Sequence, residues 1–128
     1  LVHRGDGTIC LNLQRDGDLL YTTSALWTAA NTRVPLLTVM TNNRVYYNDV
    51  EHQEKVAIAR GRPPENKLVG MQMENPSVDF AGLARSFGVA GEGPITEPDQ
   101  IRPALDRAIK LIKDERRPAL VDVIIQMI

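Results

Sequence analysis

Residues 34–40, VPLLTVM, are apolar on both faces of an extended strand except at Thr38. A strand half in water alternates apolar and polar residues. One that does not is covered on both sides, and such strands belong to parallel sheets whose faces carry helices. Pro35 is compatible with this strand because it stands at the start, where its missing N–H breaks no ladder. Residues 9–13 read as a shorter buried strand, and residues 119–126 as one rich in Val and Ile.

Helical spacing fills the intervals. Residues 22–31 carry Ala25, Leu26, Ala29 and Ala30 on one stripe, with Thr22, Thr23 and Ser24 as candidate caps. The small alanines allow close approach to a sheet. Asn42-Asn43 end the second strand. Residues 44–60 read as a loop running into a helix, and residues 61–76, rich in Gly, Pro and Asn, as a long surface loop. Ser77 is placed to cap a helix bearing Phe80, Leu83, Ala84 and Phe87, with Gly88 as its stop. Val89 and Ala90 suit a short strand. A last helix carries Ile101, Leu105, Ala108, Ile109 and Ile112 on one face. Thr96 and Asp99 both suit its cap; Asp99 is preferred because it keeps Pro103 near the first turn, where few backbone donors are paired. This order gives an α/β domain with a mainly parallel sheet flanked by helices.

The 128 residues fit one domain, and 43% hydrophobic with 24% charged residues is ordinary for a soluble chain. A formal charge of −1 implies no general attraction to nucleic acid or anionic membrane. No apolar run reaches the roughly 20 residues that span a bilayer, and the first residues lack a signal-peptide pattern. Cys10 is the only cysteine and reads as a buried, inert thiol, which fits a reducing, cytoplasmic setting. His3 and His52 stand far apart without metal-ligand spacing, which speaks against zinc. The start at Leu1, without methionine and next to a strand, reads as a fragment of a larger multidomain chain.

Ligands in such folds sit at the carboxyl ends of strands. Two segments qualify, residues 14–19 and 41–47. The first offers Asp16 and Asp18 around Gly17, the second Asn42 and Asn43. Carboxylate and amide oxygens suit a hard cation, and Mg²⁺ prefers to share its shell with phosphate oxygens and water. A helix expected after Asp18 would point its N-terminus at the same place, which favours an anion. Each short motif taken alone is also an ordinary turn sequence.

The pair of motifs resembles the signature of thiamine diphosphate-dependent enzymes, Gly-Asp-Gly followed after about two dozen residues by Asn-Asn. Asn43 stands 27 positions after Asp16. "LLYTTSALWTAANTRVPLLTVMTNNRVYYND" is similar to the cofactor-binding domain of the acetolactate synthase and 2-oxo acid decarboxylase group, and "DFAGLARSFGV" and "RPALVDVII" to that group's tail. Nearly the whole chain is covered. Gly5-Asp6-Gly7 fits the first tripeptide better in its letters, but 27 positions beyond Asp6 stands Arg33, which is no ligand. It is therefore read as a loop.

The resemblance implies a thiamine diphosphate-binding fold, incomplete at its N-terminus, with Asp16 and Asn43 as side-chain ligands of Mg²⁺ and the carbonyl of Val45 as a third. Backbone amides around Gly17 and Asp18 would meet the diphosphate, and Gly17 would let the backbone come close. Tyr46 would either approach the diphosphate or only pack. Asp18 would be tolerated with its carboxylate toward solvent or capping the helix. Arg15 replaces the motif's usual first glycine. It interferes if that position needs a positive φ or close approach, and is harmless if the side chain turns outward. The family's pyrimidine-binding domain, from the same or another subunit of a homodimer or homotetramer, would hold the other end of the cofactor and supply the activating glutamate. The expected activity is that of a lyase or transferase acting on a 2-oxo acid substrate, with no catalytic acid or base in this segment. Two alternatives stand beside it: a degenerate non-catalytic domain serving assembly or regulation, and a flavodoxin-like domain binding another phosphorylated ligand.

Overall fold

The computed structural model describes residues 7–126; His3, Gly5 and Asp6 lie outside the described residues. Four strands form the sheet: β1 (Cys10–Arg15), β2 (Leu36–Asn42), β3 (Ala90–Ile95) and β4 (Ala119–Ile124). The helices are α1 (Asp16–Tyr21), α2 (Ser24–Asn31), α3 (Tyr47–Ala59), α4 (Phe80–Ser86) and α5 (Pro98–Glu115), with one 3-10 turn at Glu65–Leu68. Strand order is β1-β2-β4-β3 and every neighbouring pair is parallel. The expected parallel α/β architecture is what forms.

The described residues divide into two compact units. The larger contains the sheet and comprises the chain up to Asn43 together with Asp79–Ile125; the smaller is Arg44–Val78.

In the larger unit, β2 and β4 are central and almost wholly buried, as a strand apolar on both faces must be. Leu37, Ala119, Val121 and Val123 on one face pack against Ala104, Ala108 and Ile112 of α5, with Ile101, Leu105 and Ile109 partly buried beside them. That is the helix face read from the sequence, with Ala104 added. Burying one such Val, Leu or Ile contributes roughly 1.5–3 kcal/mol. The ion pairs on the outer surface of α5, Arg102–Asp106 and Lys110–Asp114, stand in water and contribute little by comparison. The apolar face therefore holds α5 in place.

The opposite face of the sheet is covered at β3 and β4 by α4, whose Phe80, Ala81 and Ala84 are buried. Here a strand glycine is required: a Cβ on Gly91 would lie 2.1 Å from the carbonyl oxygen of Ala81. β1 is an edge strand whose Leu11 and Leu13 are exposed.

Several boundaries differ from the sequence reading. β1 starts one residue later and runs through Arg15, and α1, not foreseen, follows without a loop. The helix expected over residues 22–31 is shortened to α2, with no side-chain cap from Thr23. Asp79, not Ser77, caps α4: its Oδ1 accepts from the Gly82 amide at 2.7 Å, while the Ser77 hydroxyl donates to the Glu74 carbonyl. Gly88, with φ 85°, follows α4 as expected. β3 extends well beyond Val89 and Ala90, and tolerates Pro94 because it is an edge strand.

α5 begins at Pro98 with Glu97 as N-cap residue, so neither Thr96 nor Asp99 caps it. Proline at the first helical position is pre-organised for a helix start. Pro103 now lies inside the helix, where it leaves one backbone bond unmade.

In the smaller unit, Lys67 on the 3-10 turn pairs with Glu54 of α3 at 2.8 Å. Val45 forms an antiparallel bridge with Gln72. The segment read as a structureless loop thus contains a turn of helix and a strand-like pairing.

Two substitutions test this packing. Gly91→Ala should cost about 1–3 kcal/mol, because backbone must shift to admit the methyl group. Asp79→Ala should cost about 1 kcal/mol and Asp79→Ser much less, since serine also caps. Urea unfolding measures both; an unchanged midpoint for Gly91→Ala would contradict the close α4–β3 approach.

Candidate functional site

The candidate site grows out of the parallel ladder between β1 and β2. Arg15 pairs with Thr41 in that register. The next residues are Asp16, where β1 gives way to helix, and on the other side Asn42, the last residue of β2, followed by Asn43; the paired strands before them run about 4.8 Å apart. The two segments singled out from the sequence end side by side.

Asp16 is 1% exposed and is also the first residue of α1, so strand passes directly into helix. Its Oδ1 accepts from the Gly17 amide at 3.0 Å. The helix expected after Asp18 is α2, which starts only at Ser24; the helix that opens here is the unforeseen α1, which begins at Asp16 and includes Asp18. Acids in the first turn suit the positive end of a helix. Gly17 is buried, whereas Asp18 is exposed, which leaves its carboxylate in water.

Arg15 takes φ −89° and ψ 156°, ordinary extended backbone, and is exposed. Nothing about this conformation requires glycine.

Asn42 is 3% exposed and tied to β4 at two points. Its carbonyl accepts from the Ile125 amide at 2.9 Å, and its Nδ2 donates to Asp122 Oδ2 at 3.4 Å. The Thr41 hydroxyl reaches the Gln14 carbonyl at 3.5 Å on the other side. Asn43 is half-buried, and Arg44 after it has φ 59°, in the left-handed region that bulky residues seldom adopt.

Val45 and Tyr46 belong to the smaller unit. Val45 is buried. The bonds flanking its bridge run from the Tyr46 amide to the Met71 carbonyl at 3.0 Å and from the Met73 amide to the Arg44 carbonyl at 2.8 Å. These two bonds, on either side of Val45, form the bridge. Half-buried Tyr46 is the N-cap residue of α3, and its carbonyl accepts from the amides of Asp49 and Val50.

Sequence reasoning missed Asp122. It is 1% exposed, on β4, beside Asn42. The available signal was a lone acid inside the apolar run ALVDVI, since an acid is almost never fully buried without a partner. Asp16, Thr38, Asn42 and Asp122 are the buried polar residues among those described, and all but Thr38 lie at the carboxyl end of the sheet.

The donors gathered here are carboxylate and amide oxygens, the chemistry of a hard cation. Among the described residues no three His, Cys, Asp or Glu side chains converge on one point. A cation held by these residues would complete its shell with backbone, water or ligand oxygens, as Mg²⁺ does beside phosphates. The donor set fits Mg²⁺-diphosphate.

Comparison with known proteins agrees with this chemistry. A family model described as "Thiamine pyrophosphate enzyme, C-terminal TPP binding domain" matches residues 4–123. A curated relative, "Putative acetolactate synthase large subunit IlvX" of Mycobacterium tuberculosis, is 30% identical over 116 residues, which are 90% of this chain and 21% of the relative. A solved structure of a "putative thiamin diphosphate-dependent enzyme" from Mycobacterium smegmatis superposes with a TM-score of 0.61 at 21% identity, covering 93% of this chain and 18% of that one. That likeness speaks to the fold. The chain spans about a fifth of the length of the proteins it matches. It belongs to the C-terminal, thiamine pyrophosphate-binding domain family of thiamine pyrophosphate enzymes.

Proposed function

We propose that residues 1–128 are the diphosphate-binding domain of a larger thiamine diphosphate-dependent lyase or transferase. In this reading Asp16 and Asn43 hold Mg²⁺ through side-chain oxygens. The carbonyl of Val45, two residues further along the chain, is the third protein oxygen that the family pattern names. The backbone at Gly17 and Asp18 faces the diphosphate, and Tyr46 follows on the second segment. The observation that carries the reading is a buried carboxylate, Asp16, directly after a β1 strand whose last residue pairs with Thr41, the residue before Asn42-Asn43.

A metal-bound diphosphate needs hard oxygen donors on its cation and backbone donors near its oxygens. The end of β1 offers the oxygen donor in Asp16, and the backbone at Gly17 and Asp18 follows directly; the Gly17 amide donates to Asp16 Oδ1. Exposed Asp18 keeps its charge in water. Arg15, extended and outward, leaves the approach open, and its cation favours an anion.

The cofactor supplies carbanion chemistry toward a 2-oxo acid carbonyl, in decarboxylation or carboligation. This segment's share is positioning. The glutamate that activates the cofactor, and the pyrimidine-binding domain that carries it, would come from elsewhere in a homodimer or homotetramer in the cytoplasm. By itself the segment is inactive. The acetolactate synthase name of the curated relative supports this class of reaction.

Isothermal titration of the complete protein with thiamine diphosphate and Mg²⁺ tests the reading. Wild type should bind, and Asp16→Ala should weaken Mg²⁺-dependent binding by well over tenfold. Equal binding by wild type and Asp16→Ala would refute the ligand assignment. Arg15→Gly should bind within about threefold of wild type and lose about 0.5–1 kcal/mol of stability, because glycine loses more backbone freedom on folding. Binding created only by Arg15→Gly would show instead that Arg15 closes the site.

A further inference from the structure

We infer that Asp122 is a positioning residue for the cofactor site: its carboxylate holds the Asn42 amide and, through it, the backbone that presents Asn43. The inference rests on the thiamine diphosphate reading above and assigns to β4 a part in a site otherwise built by β1 and β2.

Asp122 lies on the same face as Leu120, and its partner in the β2 ladder is Met40; both neighbours are fully buried. A leucine or valine would be buried there without penalty. A carboxylate is costly in such surroundings unless it is paired. Its side-chain neighbour is the Asn42 amide, itself 3% exposed, at 3.4 Å.

Asn42 is the last residue of β2, and Ile125 holds its carbonyl. The residue is therefore fastened at backbone and side chain, both times by β4 or the residue just after it. Asn43 comes next, and at Arg44 the backbone enters the left-handed region. The chain turns sharply just beyond the fastening, so the position of Asn43 follows from that of Asn42.

Asp122 is itself confined. A Cβ on Gly93 would lie 2.7 Å from the Asp122 carbonyl oxygen and 2.8 Å from its Cβ, so the β3 backbone lies directly against it. Asp122, with its backbone and Cβ held by β3, thus acts on the candidate ligand Asn43 through Asn42. Residues that bond a metal ligand directly are typically worth about 10–100-fold in metal affinity, and one acting a residue further out belongs at the lower end of that range.

The test uses the complete protein, with Mg²⁺ titrated at fixed thiamine diphosphate and the thermal midpoint of each cofactor-free variant measured alongside. Asp122→Leu, which removes the acceptor at similar volume, should raise the Mg²⁺ requirement about tenfold or more. Asp122→Asn keeps an acceptor oxygen and should stay within about threefold. Asn42→Ala should match Asp122→Leu, and the double variant should be no worse than either single one, because both remove the same contact. Should Asp122→Leu not fold, Asn42→Ala decides the question. A lowered thermal midpoint with unchanged Mg²⁺ requirement well below that midpoint would make the pair a structural staple and overturn the inference alone. Wild type that binds neither ligand would overturn the cofactor reading and this inference together.

Discussion

β2 is paired in parallel on both sides, to β1 through Arg15–Thr41 and to β4 through Asn42–Ile124, and the candidate site depends on that double pairing. Parallel strands end on the same side of the sheet, so three carboxyl ends deliver Asp16, Asn42 and Asp122 to one region. The register is tightly specified because side chains alternate with period two. A slip of one residue would send Asn42 to the α5 face and leave a buried amide among Val121, Val123 and Ile112. The apolar core thereby enforces the placement of polar groups that contribute nothing to the core themselves.

The same sheet shows how unequal its two ends are. Away from the carboxyl end, β2 and β4 bury Leu37, Ala119, Leu120 and Val121, and the gain in apolar burial is large. At the carboxyl end two carboxylates and an amide are almost completely buried, and each must recover its lost hydration from a neighbour. Stability alone would favour apolar side chains there. Local departures from that preference are expected where a chain binds something. These departures gather at the end of the sheet where the proposed site lies.

Much of the fold could be read from periodicity, and the failures share a cause. The central strands and the inner face of α5 were legible because burial imposes their patterns directly. Helix starts were less so. Pro98, Pro103, Thr96 and Asp99 all bear on the start of α5, and local rules weigh them without the sheet that fixes where the helix must begin. Ser77 and Asp79 are both good capping residues; the close approach of Ala81 to Gly91 fixes where α4 lies, and Asp79 is the one in reach of its first amides. α1 escaped notice because six residues containing a glycine carry no helical period.

The site divides in the same way. Sequence alone named the family, and the 27-residue spacing to Asn43 is what singles out Asp16 over Asp6 as the candidate ligand. Spacing along a chain reflects the length of a strand–helix–strand unit, which is a local property. It could not reveal that Arg15 stays extended and outward, that Asp16 itself opens a helix, or that Asp122, 80 residues away, meets Asn42. Those are decided by the parallel ladder, because only pairing across strands determines which distant residues share a face and an end.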